Sequence, residues 1–201
     1  MVFPIDYVLN LSLVADALRK PKLLRGAVVE CGTWRGGMAA GLMKVGGTTR
    51  KYYFFDSFKG LPPPEEIDGP EALAWANDPT GPRYFNNCRA ETSEFISVMS
   101  RAGFSAEQYD VVQGYYLDSM PGLEVTPISV LRLDSDWYSS TMTCLEHLWP
   151  HVLPGGLIIL DDYYHWQGCR KALHAYLATL QRSEAVRASR YGSFAYLWKA
   201  E

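Results

Sequence analysis

Leu157-Ile158-Ile159-Leu160-Asp161-Asp162 is an unbroken aliphatic run that ends on two acids. Four apolar residues without polar alternation read as a strand buried on both faces, the habit of a parallel sheet covered by helices. Acids directly after such a strand fall at its carboxyl end, where open α/β sheets bind their ligands. The same arrangement occurs upstream. Ile128–Leu133 reads as another apolar strand, and Asp134-Ser135-Asp136-Trp137-Tyr138 follows it.

Outward from these two segments the chain alternates. Residues 7–20 read as a helix with Val8, Leu11, Val14, Ala15 and Leu18 on one face, closed by Pro21. Strands are expected at Ala27–Cys31, 52–55 and 109–112, and helices at 36–45, 91–101, 140–149 and 168–180. Residues 185–199 hold two β-like runs around Tyr191-Gly192 and predict a terminal hairpin. The expected fold is α/β: a doubly wound, mostly parallel, seven-stranded sheet with an antiparallel C-terminal hairpin. One domain spans residues 1–201, with an N-terminal helical part at 1–25. This is the usual plan of methyltransferases that use S-adenosylmethionine (SAM). Residues 61–88 interrupt the rhythm with six of the 12 prolines. A connection this long beside the ligand edge is expected to be a lid, placed at 61–89.

Composition narrows the function. The 201 residues are 48 % hydrophobic and 20 % charged, with a net charge of −3. That is an ordinary globular balance, and no basic stripe invites nucleic acid or an anionic membrane. No apolar run approaches the roughly 20 residues that cross a bilayer. Cys31, Cys88, Cys144 and Cys169 stand far apart, without CxxC pairs or zinc spacing, and read as reduced thiols. Without a signal-peptide pattern the expected location is cytoplasmic.

The residues after each strand carry the chemistry. Glu30-Cys31-Gly32-Thr33-Trp34-Arg35-Gly36-Gly37 is a glycine turn into a helix, looser than the dinucleotide fingerprint. It puts Glu30 where a carboxylate can face the positive end of SAM. Asp56, ahead of Ser57-Phe58-Lys59-Gly60, can accept hydrogen bonds from ribose hydroxyls, and Tyr115 or Tyr116 can flank an adenine. Adjacent parallel strands would bring Asp134 close to Asp161 and Asp162. Three carboxylates in one crevice raise each other's pKa, and a cation relieves that cost. All-oxygen ligands favour magnesium, calcium or manganese. The alternative is that these acids cap the helices that follow. His165 is the one histidine in such a segment, and with Asp134 it is a candidate for the catalytic base.

The segments Glu30-Cys31-Gly32-x-Trp34-x-Gly36-Gly37, Asp56-Ser57-Phe58-x-Gly60-Leu61-Pro62 and Leu131-Arg132-Leu133-Asp134-x-Asp136-x-Tyr138 resemble the macrocin O-methyltransferase family. So do Pro154-Gly155-Gly156 running into Asp161-Asp162-Tyr163, and Gly168-Cys169-Arg170-Lys171-Ala172. The resemblance implies metal-dependent methylation of a hydroxyl on a sugar moiety of a natural product. It implies SAM contacts at Glu30, Cys31, Gly32, Thr33 and Trp34, at Asp56, Ser57, Phe58, Lys59 and Gly60, at Tyr116, and at Asp134 and Ser135. It implies Mg²⁺ on Asp134, Asp161 and Asp162. The expected partner is a small-molecule hydroxyl acceptor, with neither nucleic acid nor membrane involved, and a homodimer is compatible with the family. Two rivals remain. Asp134-Ser135-Asp136 has the DxD form of a metal-dependent glycosyltransferase, and the chain could be a SAM-binding protein without catalysis.

Overall fold

The computed structural model of the chain describes residues 4–180 and 184–200; residues 1–3, 181–183 and 201 of the expected domain lie outside them. Helix α1 (Pro4–Leu18) starts on a proline whose missing N–H costs nothing at a first helical position. Its buried stripe runs through Asp6, Asn10, Val14, Ala17 and Leu18, so Val8, expected inside, faces solvent. The stripe turns that way because its two polar members have partners inside: Ser193 donates to Asp6, and Arg132 donates to Asn10.

Then follow β1 (Ala27–Cys31), α2 (Gly37–Gly46), β2 (Tyr52–Asp56), α3 (Pro70–Ala76), α4 (Thr92–Arg101) and β3 (Asp110–Gln113). After them come α5 (Tyr116–Ser119), β4 (Ile128–Leu133), α6 (Tyr138–Leu148), β5 (Val152–Leu160), α7 (Gln167–Thr179), β6 (Arg187–Ala188) and β7 (Ala195–Trp198). The seven strands lie in the order β3-β2-β1-β4-β5-β7-β6. The first five run parallel, and β7 is antiparallel to both β5 and β6. Chain order reverses between β1 and β4, which makes their carboxyl ends the switch point where such sheets open a ligand crevice.

Strand residues alternate between two cores, as a period of two requires. Val28, Tyr52, Phe54, Val130, Leu157 and Ile159 face α1, α2 and α4. Val29, Cys31, Phe55, Leu131, Leu133, Ile158 and Leu160 face α6 and α7. Each fully buried Phe or Leu among them contributes roughly 1.5–3 kcal/mol relative to exposure. Two surface cavities of about 280 and 480 Å³ lie at the amino ends of the strands, lined by Thr48–Lys51 with Glu107–Asp110 and by Lys20–Leu23 with Pro154–Gly155. Both are at the opposite edge from the acids.

The long connection is structured. It holds a single 3₁₀ turn (Glu66–Asp68) and α3, too short for periodicity to have announced them. It is tied down at several points. The indole N–H of Trp137 donates to the Pro62 carbonyl at 2.8 Å, and Lys171 Nζ to the Ile67 carbonyl at 2.8 Å. Asp68 is 2 % exposed. Its Oδ1 accepts from the Tyr138 N–H at the start of α6 (2.6 Å), and its Oδ2 accepts from the Glu65 N–H (2.8 Å). Asp68→Ala removes the buried acceptor of both N–H groups. We expect a loss of about 2–4 kcal/mol in urea unfolding, with limited proteolysis cutting first between residues 62 and 88.

Candidate active site

The backbone ladder continues one residue past four of the five parallel strands, β1, β3, β4 and β5. Gly114 N–H donates to Asp56 O (2.9 Å), Gly32 to Phe55 O (2.8 Å), Asp134 to Cys31 O (2.9 Å) and Asp161 to Leu133 O (2.8 Å). The post-strand segments are thereby fixed side by side before any side chain is considered. At the switch point the fit is close. Gly32 has φ +85°, and a Cβ there would lie 1.8 Å from the Asp134 carbonyl oxygen. Glycine is needed at this position so that the β1 and β4 loops can meet.

Register sets the electrostatics. Glu30 lies directly opposite Arg132 on the neighbouring strand, and Asp134 follows two residues on, on the same face. Arg132 has no exposed surface. Its Nη1 donates to Glu30 Oε1 (3.1 Å) and to Asp134 Oδ2 (3.0 Å), and its Nε to Asn10 Oδ1 (3.3 Å). Its Nη2 meets Asp161 Oδ1 at 2.8 Å as an ion pair. Burial works against this guanidinium's charge, but Asp161, Asp134 and Glu30 together more than reverse that and hold its pKa above the ordinary value. The second oxygen of Glu30 accepts from Thr33 Oγ1 at 2.9 Å. Burial, opposed by Arg132, lifts Glu30 to about 7.

This arrangement differs from the sequence expectation in three ways. Glu30, expected to face the cofactor, has no exposed surface here, and both its oxygens are engaged within the protein. Asp161 is not among the three acids whose oxygens converge; its Oδ1 faces Arg132 Nη2 at 2.8 Å. Asp136 takes that place. One carboxylate oxygen from each of Asp134, Asp136 and Asp162 comes within 4.8 Å of the others. Asp136 sits at φ +54°, a left-handed conformation that costs an L-residue roughly 1–2 kcal/mol. It persists because its N–H donates to Asp162 Oδ2 (3.0 Å) and its Oδ1 accepts from the Trp166 indole N–H (2.9 Å). Burial first, then the charge of Asp134, pushes Asp136 up to about 7. Burial, then the charges of Asp136 and Asp134, pushes Asp162 well above the carboxylate range. His165, the other candidate base, is exposed. Among the described residues its ring makes no hydrogen bond.

The expected cofactor segments lie beside this cluster. Asp56 Oδ2 accepts from the Trp34 N–H and Oδ1 from the Phe58 N–H, both at 2.7 Å. Both donors sit in left-handed turns, at φ +46° and +53°. Asp56 therefore braces the loops after β1 and β2, with a lone pair left on each oxygen. Ser57 Oγ closes its own turn onto the Gly60 carbonyl (2.9 Å), and Lys59 is exposed. Cys31 and Phe58 point into the two cores, and Ser135 Oγ pairs with Thr141 Oγ1 at 2.8 Å. Tyr116 opens α5, half-buried. Gly37, at the start of α2, borders open space. Sequence reading missed Arg132, Asn10, Asp68 and Trp166. An arginine within an otherwise aliphatic strand, with Glu30 in the strand beside it, was the available signal for the first.

The family model described as macrocin-O-methyltransferase (TylF) matches residues 10–189. The chain belongs to that family. It is 34 % identical over 155 residues to the 8-demethyl-8-(2,3-dimethoxy-alpha-L-rhamnosyl)-tetracenomycin-C 4'-O-methyltransferase of Streptomyces olivaceus, across 75 % of this chain and 58 % of that protein. It is 33 % identical over 158 residues to the mycinamicin III 3''-O-methyltransferase of Micromonospora griseorubida, across 75 % and 60 %. The solved O-methyltransferase NovP superposes with a TM-score of 0.79 at 25 % identity, over 96 % of this chain and 81 % of NovP. The chain spans 58–60 % of the length of the curated relatives it matches. As a macrocin O-methyltransferase family member it has the fold of NovP.

Two outcomes follow from the buried charges. Arg132→Met removes the guanidinium that pairs with Glu30, Asp134 and Asp161, and should cost about 3–5 kcal/mol in urea unfolding. The pH dependence has a definite sign. Between 4.5, the ordinary value for a glutamate, and about 7, folded Glu30 keeps a proton that the unfolded chain has released. Stability is therefore greatest below that window and falls as pH rises through it. Asp161 and Asp162, both raised, act in the same direction. The urea midpoint of the metal-free protein should be higher at about pH 5 than at about pH 8, and Glu30→Gln should flatten part of the slope.

Proposed function

We propose that this chain is an O-methyltransferase that moves the methyl group of SAM to a hydroxyl on a sugar moiety of a natural product, with Mg²⁺ resting on Asp134 and Asp162. The observation that carries the reading is the convergence of three carboxylates at the switch point of a methyltransferase-type sheet, in a chain of the macrocin O-methyltransferase family. The acids fit a hard divalent ion. They are all oxygen donors, within 4.8 Å of one another, and their mutual repulsion is what such an ion removes. The loops after β1 and β2 fit the methyl donor. Asp56 keeps acceptor capacity for ribose hydroxyls, and the start of α2 is open.

A bound divalent ion supplies Lewis acidity that makes a sugar hydroxyl easier to deprotonate. The protein supplies the rest. The post-strand segments hold donor and acceptor sides in line, since displacement at a methyl carbon needs reacting atoms roughly 3–3.5 Å apart. The acceptor oxygen forms a bond to the methyl carbon as the carbon–sulfur bond breaks, and that electron pair stays on sulfur. Asp136 takes the hydroxyl proton. Asp134 and Asp161 are held by Arg132 and His165 is exposed, which leaves Asp136, next to Asp134 and Asp162 and without an ion pair among the described residues, as the carboxylate for that role.

The test is methyl transfer from labelled SAM to a panel of glycosylated natural products. Asp134→Ala and Asp162→Ala should each lower metal-stimulated turnover at least ~100-fold, with SAM affinity by calorimetry unchanged within about twofold. A full wild-type rate in excess EDTA sinks the metal role, and a protein that does not bind SAM sinks the whole reading.

A further inference from the structure

The acid cluster poses a positional problem. Three carboxylates within 4.8 Å repel one another, and an aspartate has only two side-chain torsions to hold it in place. Asp134 is secured by Arg132. Asp162 accepts from the backbone of Asp136. For the carboxylate of Asp136 itself, the contact that secures it is the indole N–H of Trp166, 2.9 Å from Oδ1.

We propose that Trp166 is a positioning residue: its indole N–H fixes Oδ1 of Asp136 so that Oδ2 is the oxygen left to take the acceptor's proton. The inference rests on the methyltransferase reading above and adds a residue to it. An indole suits the task chemically. It donates one hydrogen bond, carries no charge and does not titrate, so it orients a base without neutralising it as a lysine or arginine would.

The ring is itself immobilised. It packs edge-on against Trp137, with centroids 5.1 Å apart and planes at 64°, and against Trp75 at 6.2 Å and 68°. Such tilted contacts fix ring orientation. The N–H groups of those two neighbours go elsewhere, Trp137 to the Pro62 carbonyl and Trp75 to the Arg83 carbonyl. Within this aromatic trio only Trp166 spends its donor on a carboxylate. Its backbone N–H donates to the Asp162 carbonyl at 2.9 Å, so the turn that provides one acid of the cluster also steadies another.

Trp166→Phe keeps the ring and deletes the donor. We expect kcat to fall about 10- to 100-fold, with KM for SAM and Mn²⁺ affinity unchanged. In an Asp136→Ala background the same substitution should produce no further fall. An equal fall in that background would mean Trp166 acts through something other than Asp136, and the proposal fails.

A second readout needs no turnover. In ¹⁵N spectra of the six tryptophan side chains, the Trp166 indole peak is assigned by its loss in Trp166→Phe. In Asp136→Ala it should move upfield and exchange faster with solvent; if it stays where it was, the contact is not there and the proposal is overturned. A chain that transfers no methyl group to any acceptor, yet shows this shift, fails the functional reading and retains the contact.

Discussion

A guanidinium sealed in the middle of a parallel sheet sets the terms for everything at the carboxyl edge. Arg132 cannot be solvated, so its charge has to be met by the protein, and the register between β1 and β4 meets it with Glu30 directly alongside. A buried pair of this kind gains little stability over an apolar substitute of the same size. What it does gain is arrangement. Arg132 reaches Asp134 and Asp161 at the ends of two strands and Asn10 in α1, so four elements take their relative positions from one side chain. The neighbourhood remains strongly negative, because one guanidinium faces Glu30, Asp134 and Asp161 while Asp136 and Asp162 stand close by with no ion pair among the described residues. Burial first, and the like charges of neighbouring acids after it, raise the pKa values of Glu30, Asp136, Asp161 and Asp162.

Much of this was legible before any coordinates. Aliphatic runs such as Leu157 to Leu160 have no other stable place than a doubly covered strand, and the acids behind them mark the ligand edge by topology alone. The parts that could not be read are those that depend on register and torsion. Nothing local to Glu30 says that Arg132 lies opposite it; that needs the pairing of strands about a hundred residues apart. The exchange of Asp161 for Asp136 in the cluster depends on one left-handed φ at Asp136 and on which acid the guanidinium captures. The face of α1 was misread at Val8 because polar residues with buried partners look, in sequence, like residues meant for water.

The same distinction separates the site from its rivals. An Asp134-Ser135-Asp136 triplet by itself suits a glycosyltransferase, but here its second acid is bound into a cluster with Asp162 from the next strand, within the sheet order of the methyltransferase family to which the chain belongs. Besides the run Phe85–Cys88 in the long connection, three left-handed residues stand at the carboxyl edge. Trp34, Phe58 and Asp136, all with positive φ, stand just after β1, β2 and β4, and Asp56, Asp162 and Trp166 supply the hydrogen bonds that hold them there.

The long connection is fastened near both ends. Pro62, Ile67, Asp68 and Glu71 are bonded to α6 or α7, and Asn87 is bonded back to Leu61. Between those moorings, residues 77–80 are exposed. The Trp75 indole N–H, donating to the Arg83 carbonyl at 2.9 Å, bridges this exposed stretch and ties its two sides together. The connection thus divides into a tethered part, whose bonds to α7 and to the start of α6 fix its place beside the acids, and a short solvent-facing stretch at residues 77–80.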